Sequence, residues 1–106
     1  MSDDEIYELL GQVFEWNKMK AARNAINHGV RFTEAATVFF DRGALFQPDE
    51  VHSLDEQRYT VLGRSIHLRE LLVVHVLRGD TIRIISARRA EPRERRDYES
   101  RLGKRL

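Results

Sequence analysis

The chain contains no cysteine. Disulfides, thiolate zinc sites and a cysteine nucleophile are therefore excluded, and a reducing cytoplasm is the compartment that fits. No apolar run is long enough to span a bilayer, and the opening MSDDEIYELLGQ is acidic where a signal peptide would be basic. A soluble, cytoplasmic protein without membrane contact is expected. P-loop, nucleophile elbow, dinucleotide fingerprint and helical zinc motif are all missing. The four histidines, at 28, 52, 67 and 75, are too scattered to propose a metal site, so neither metal nor cofactor is expected. Internal repeats, low-complexity tracts and linkers are absent. The two prolines punctuate: Pro48 opens a polar loop, and Pro92 stands at the first turn of a helix, where its missing N–H costs nothing.

What is present describes one globular domain. At 106 residues, with 42% hydrophobic and 33% charged, the chain is long enough for one core. Its net charge of +1 conceals a polarity: residues 1–57 carry 5 basic and 11 acidic side chains, residues 58–106 carry 13 and 6. Of the 18 basic residues 15 are arginine, whose planar fork suits bidentate phosphate contacts. Phosphate-bearing partners follow from that, or else the fold brings the two halves together as ion pairs.

Residues 2–10 are expected as a short helix, with Ser2 and Glu5 at capping-box spacing and Ile6, Leu9 and Leu10 on one face. Gln12 to Trp16 reads as a strand. Asn17 N-caps a helix whose apolar stripe is Met19, Ala22 and Ile26 and which Gly29 ends. Thr33 is read as the cap of a second helix carrying Ala36, Phe39 and Phe40, so the two form a hairpin. ALFQ is a short strand, and PDEVHSLDEQ a polar loop. Arg58–Ile66, Leu71–Leu77 and Thr81–Ala87 are antiparallel neighbours because their connections are short. LLVVHVL, apolar on both parities, is the central strand. The architecture is an α+β two-layer domain.

Among candidate functional residues, His75 reads as a hydrogen-bonded core residue, His28 as a helix-terminal one, and His67 carries no signal. His52 sits on the polar loop with Glu56 and Arg58, a mixture of acid, base and phosphate-binding types where a scaffold commonly places function. Arg83 interrupts Ile82, Ile84 and Ile85, so it faces an open sheet surface or is paired. Regular alternation would put Arg83 and Arg89 on one face and Arg88 on the other. RERR, residues 93–96, reads as a solvated helix face.

These words together, FEWN...K...N...HG..F.EA..VF.D, D..HS..E.R and RIISAR followed by E...Y, resemble the BrnT-type toxins of bacterial toxin–antitoxin modules over about residues 14–98. The resemblance implies a RelE-like fold in the order β-α-α-β-β-β-β-α with a mainly antiparallel sheet. It implies a toxin domain over 13–106, preceded by an N-terminal extension, 1–12, that has no counterpart. It also implies metal-independent RNA cleavage, neutralisation by a BrnA-like ribbon-helix-helix antitoxin, and contact with operator DNA only through that antitoxin. The matching polar positions are Lys20, Asn24, His28, Asp49, His52, Ser53, Glu56, Arg58, Arg83, Ser86, Arg88, Glu94 and Tyr98. Asn17, Arg42 and Arg69 depart from the pattern, at a cap, a helix exit and a turn where the family commonly has Asp, Pro and Gly.

Cleavage of this kind has the ribose 2′-hydroxyl attack the adjacent phosphorus, which asks for a base, an acid and fixed positive charge. His52 or Glu56 is expected in proton transfer, Arg58 and Arg83 on the phosphate, and Tyr98 in base stacking or proton relay. Lys20, Arg88, Arg89, Arg93 and Arg96 are expected to hold RNA outside the site. The competing structural accounts are that His52 and Ser53 close the loop, Arg83 pairs with Glu56, and Tyr98 anchors the last helix. A non-catalytic nucleic-acid or protein-binding module, a degenerate toxin, is the alternative reading.

Overall fold

The structure, a computed structural model, describes residues 3–105. Six strands form one sheet: β1 (Asp4–Leu9), β2 (Gln12–Asn17), β3 (Leu45–Pro48), β4 (Arg58–Arg64), β5 (Glu70–Arg78) and β6 (Thr81–Arg89), in spatial order β1-β2-β6-β5-β4-β3. Helices α1 (Lys18–His28) and α2 (Phe32–Thr37) cover one face, and α3 (Pro92–Arg105) packs near the end of the other. Every pairing is antiparallel except β2 with β6, so the expected α+β architecture with a mainly antiparallel sheet is present. β5 occupies one of the two central positions, as its apolar run requires. No helix of the described residues is long and apolar enough to cross a membrane.

The N-terminal segment is a strand rather than the expected helix; Ser2, its expected cap, lies outside the described residues. Leu10 and Gly11, with φ of 51° and 85°, make the two-residue positive-φ turn that hairpins favour, and this sets Tyr7 opposite Phe14. Tyr7 and Leu9 then pack on the core while Ile6 points away, 65% exposed. A six-residue segment is too short to hold a helix alone, whereas β2 satisfies its backbone at once.

In α1, Asn17 caps as expected: its side chain accepts the Lys20 N–H at 3.0 Å, and Gly29 closes the helix at φ 66°. The buried face is not the expected one. Met19 and Ile26 are exposed, and the helix docks through Ala21, Asn24 and Ala25. The reason is a backbone debt in β6. β2 pairs with β6 only over Val13–Glu15, leaving Ala87 without a ladder partner on that side. Asn24 supplies one, accepting from Ala87 N at 3.1 Å and donating to Ala87 O at 2.8 Å and Val30 O at 2.9 Å.

Arg31, not Thr33, is the N-cap of α2, and it makes no side-chain capping bond. Thr33 is already the second residue of the helix, because Phe32 and Ala35 must both reach the core. After Thr37 the chain tightens into a 3₁₀ turn over Val38–Phe40. Buried Glu34 is satisfied by Ser65 Oγ at 2.7 Å and by Arg69, whose Nε donates at 2.9 Å. Arg69 thus ties the β4–β5 turn to α2.

The core between sheet and helices holds Phe14, Trp16, Val30, Phe32, Val61, Leu71, Val73 and Ile84. His75 belongs to it, edge-on to Phe39 with ring centroids 4.7 Å apart, and burial pushes its pKa down to about 4. A smaller cluster of Leu62, Ala90 and Tyr98 joins α3 to the opposite face.

Candidate nucleic-acid interface and active site

β4, β5 and β6 turn one set of side chains to the core and the other to a face that only α3 partly covers. Arg58, Thr60 and Leu62 of β4 stand opposite Val76, Val74 and Leu72 of β5. On β6 the regular alternation fails. A bulge at Ile85 leaves Val74 opposite Ser86 but His75 opposite Ile84, so Arg83 pairs with Val76 and Arg88 with Leu72. Two residues of one parity on β5 share a face, so Arg83 and Arg88 do as well. This corrects the expectation that they point apart; one inserted residue reverses the parity beyond it.

The β3–β4 loop is built around Ser53. Its Oγ donates to Asp49 O at 2.6 Å and accepts the Arg58 N–H at 2.7 Å, while Asp49 N donates to Arg58 O at 2.8 Å. The ends of the loop are thereby clamped, and His52 is held between them on a 3₁₀ turn, Glu50–His52. Its Nδ1 lies 3.1 Å from both carboxylate oxygens of Asp49, with the side chain 70% exposed. An imidazole whose Nδ1–H is given to a carboxylate presents the Nε2 lone pair outward. Asp49, His52, Thr60, Glu94 and Asp97 border a hollow of about 360 Å³ between this loop and α3.

The arginines of this face differ in what holds them. Arg83 donates to both oxygens of Asp4, at 3.0 and 3.1 Å, with Glu15 at 3.6 Å. Glu56 is spent on Arg78, at 2.9 and 3.3 Å, and these bonds hold its carboxyl below the usual range. Arg83 therefore does not pair with Glu56. Arg88 forks onto Glu94 at 2.8 and 3.0 Å, which likewise lowers the Glu94 carboxyl. The Arg58 guanidinium makes no hydrogen bond or ion pair among the described residues and borders a recess with Glu56, Val76 and Ile85.

Tyr98 is 2% exposed, and its hydroxyl donates to Asp41 at 2.6 Å. Burial and that carboxylate raise its pKa above the ordinary value. Burial pushes the Asp41 carboxyl up, but the Tyr98 hydroxyl and the Arg64 and Gly43 amides outweigh it and hold Asp41 below its usual value. Tyr98 is the anchor of α3: a Cβ on Gly43 would stand 2.6 Å from Leu102, so α3 seats against bare backbone. Its ring is not presented to a ligand. Arg89, Arg93 and Arg96 are exposed where β6 passes into α3, while Lys20 lies on α1, across the sheet from this face.

The structure thus brings His52, Arg58, Arg83 and Arg88 to one side and leaves Lys20 and Tyr98 out. Sequence reasoning missed the carboxylates on Arg83. Its only signal was an acidic first half, and nothing local joins residue 4 to residue 83.

Residues 16–94 match the family described as ribonuclease toxin, BrnT, of type II toxin–antitoxin systems. The 1.1 Å crystal structure of the Brucella abortus ribonuclease toxin BrnT is similar, with a TM-score of 0.56 and 22% identity over 72% of this chain and 92% of that one. At that identity the likeness is one of fold. No curated protein sequence matches the chain. The family match spans well over half of the residues, and the chain belongs to the BrnT family of ribonuclease toxins of type II toxin–antitoxin systems.

Proposed function

We propose that the chain is a metal-independent endoribonuclease that cleaves RNA by attack of a ribose 2′-hydroxyl on the adjacent phosphorus. The observation that carries this is the juxtaposition, across one clamped loop, of an outward His52 backed by Asp49 with an Arg58 guanidinium that no hydrogen bond or ion pair holds among the described residues. His52 Nε2 takes the 2′-hydroxyl proton as the P–O2′ bond forms. The imidazolium so made is the donor at hand for the 5′-oxygen as the P–O5′ bond breaks, leaving a 2′,3′-cyclic phosphate and a 5′-hydroxyl.

Arg58 stabilises the phosphorane, a term worth about 10²–10³ in rate for one well-placed donor. Arg83 assists when phosphate displaces Asp4 from its fork. Glu56 is a carboxylate that orients Arg78, since its lowered pKa leaves no proton to give. Exposed Arg89, Arg93 and Arg96 guide the strand by phosphate contacts and stacking. Neutralisation falls to a BrnA-like ribbon-helix-helix antitoxin, through which alone the chain would reach operator DNA. Within the 1–12 extension, β1 (Asp4–Leu9) is half of a sheet hairpin that brings Asp4 to Arg83.

The neutralised Arg83 favours one competitor, a module that binds RNA without cutting it. Purified chain incubated with RNA in excess EDTA separates the two. Fragments ending in 2′,3′-cyclic phosphate, lost in His52→Ala, support the enzyme; salt-sensitive binding of intact RNA overturns it.

A further inference from the structure

Two turns of this protein hold leucine where backbone geometry asks for glycine or asparagine. Leu10, in the β1–β2 turn, has φ 51°, and Leu68, in the β4–β5 turn, has φ 62°. In this left-handed region a Cβ crowds the following carbonyl, so a leucine there is strained. Neither side chain recovers the cost inside the fold: Leu10 is 79% exposed and Leu68 75%. Both belong to the wall of a single open hollow of about 340 Å³, together with Phe40 and Ile66, themselves 40% and 71% exposed. Turn chemistry alone explains none of this. An apolar surface assembled from two distant turns, at the expense of both, is what a binding site for an apolar partner looks like.

The charges around the hollow select among partners. Its nearest carboxylates are occupied, Asp41 by Tyr98 and two backbone amides, Glu34 by Arg69 and Ser65. The cations at its edge are Arg64, which borders the hollow with its guanidinium 5.5 Å from the Tyr98 ring and 3.7 Å from Glu70, and exposed Arg31, which lines an adjoining recess with Ile66 and His67. Glu8 alternates to the other side of β1 from Tyr7 and Leu9. An apolar floor with a basic rim is complementary to a segment that carries apolar anchors flanked by Asp and Glu.

We infer that this hollow docks an acidic amphipathic segment of the antitoxin. A toxin of a type II system has a protein antitoxin as its partner, so this rests on family membership. It does not depend on the cleavage chemistry. His52, Arg58 and Arg83 are all absent from its lining, in which only Arg64 shares the face of β4 that carries Arg58. Neutralisation is thus gripped at a place separate from the RNA surface, and the two are separable by mutation.

The test is the full-length double variant Leu10→Asn/Leu68→Asn. Asparagine is at home in both turns, so the substitution removes the apolar tips while relieving the backbone. The probe is the purified antitoxin encoded beside the toxin, titrated by calorimetry, with thermal unfolding and RNA cleavage measured in parallel. The Tm is expected to hold or rise, and cleavage to stay within about twofold. Antitoxin Kd is expected to weaken by about 30-fold or more, the scale of a hot-spot pair, with loss of growth rescue. Unchanged Kd overturns the inference, whatever the cleavage assay shows. So does wild-type chain that sediments as a dimer while the variant sediments as a monomer with Kd intact, because the hollow then seats a second copy. A marked fall in Tm also overturns it, by showing that the leucines serve the fold.

Discussion

The two faces of the sheet use polar groups in opposite ways. On the covered face each buried polar group closes a deficit of the backbone or of a neighbour: Asn24 replaces a missing strand for Ala87, and Glu34 is shared between Ser65 and Arg69. On the open face two partly exposed arginines are held by forks that a phosphate could replace, Arg83 on Asp4 and Arg88 on Glu94. Removing a polar group from the first face leaves an orphan without water, which destabilises. Removing one from the second mostly releases its partner to solvent. On the proposed reading, stability and function are segregated by face.

That segregation is open to attack. The largest effect is expected from Arg58→Ala, which should lower RNA cleavage about 10²–10³-fold in a single-turnover assay with little change in Tm. Equal loss of stability would place Arg58 in the scaffold and break the comparison.

Next is His75. Its folded pKa of about 4 lies below the unfolded value of about 6.5, so as pH falls the unfolded chain takes up the proton first. Stability is whole above about pH 6.5 and drains away down to about pH 4, by about 3 kcal/mol in all. Urea unfolding at several pH values should show this slope, and His75→Phe should flatten it; a slope that survives the substitution assigns it elsewhere.

Asn24→Ala should cost about 2 kcal/mol or more by orphaning both backbone groups of Ala87. Cleavage per folded molecule should be preserved, read from activity normalised to the native fraction.

The smallest effect tests the open face from its acidic side. Asp4→Asn weakens the carboxylate fork on Arg83 and should tighten RNA binding about threefold at low salt. Weaker binding would mean that Asp4 positions Arg83 rather than competing with phosphate for it.

Much of this molecule was legible in one dimension, for reasons that particular residues show. Asn17 and Gly29 bracket α1 because capping is decided within a few residues of each end. LLVVHVL takes one of the two central positions of the sheet, as a run without a polar parity suggests. RIISAR and HS..E.R pointed to the family, and the fold followed. The failures were equally physical. Ile6, Leu9 and Leu10 match a helical face, yet a partner strand two residues away offers six paired residues at once. Met19 and Ile26 read as a core stripe, yet α1 turned to deliver Asn24 to Ala87. The candidate site is a set of residue types in the sequence, and the partners of those residues were illegible there.

The sequence by itself determined the elements that local chemistry governs, namely caps, turns, strand alternation and the arginine-rich character of the second half. Only the tertiary structure decided which arginines are free. That outcome depends on a one-residue bulge at Ile85 and, for Arg83, on carboxylates more than 60 residues away from the cation they hold, and Coulomb and hydrogen-bond energies act through distance in space, which the chain order does not encode.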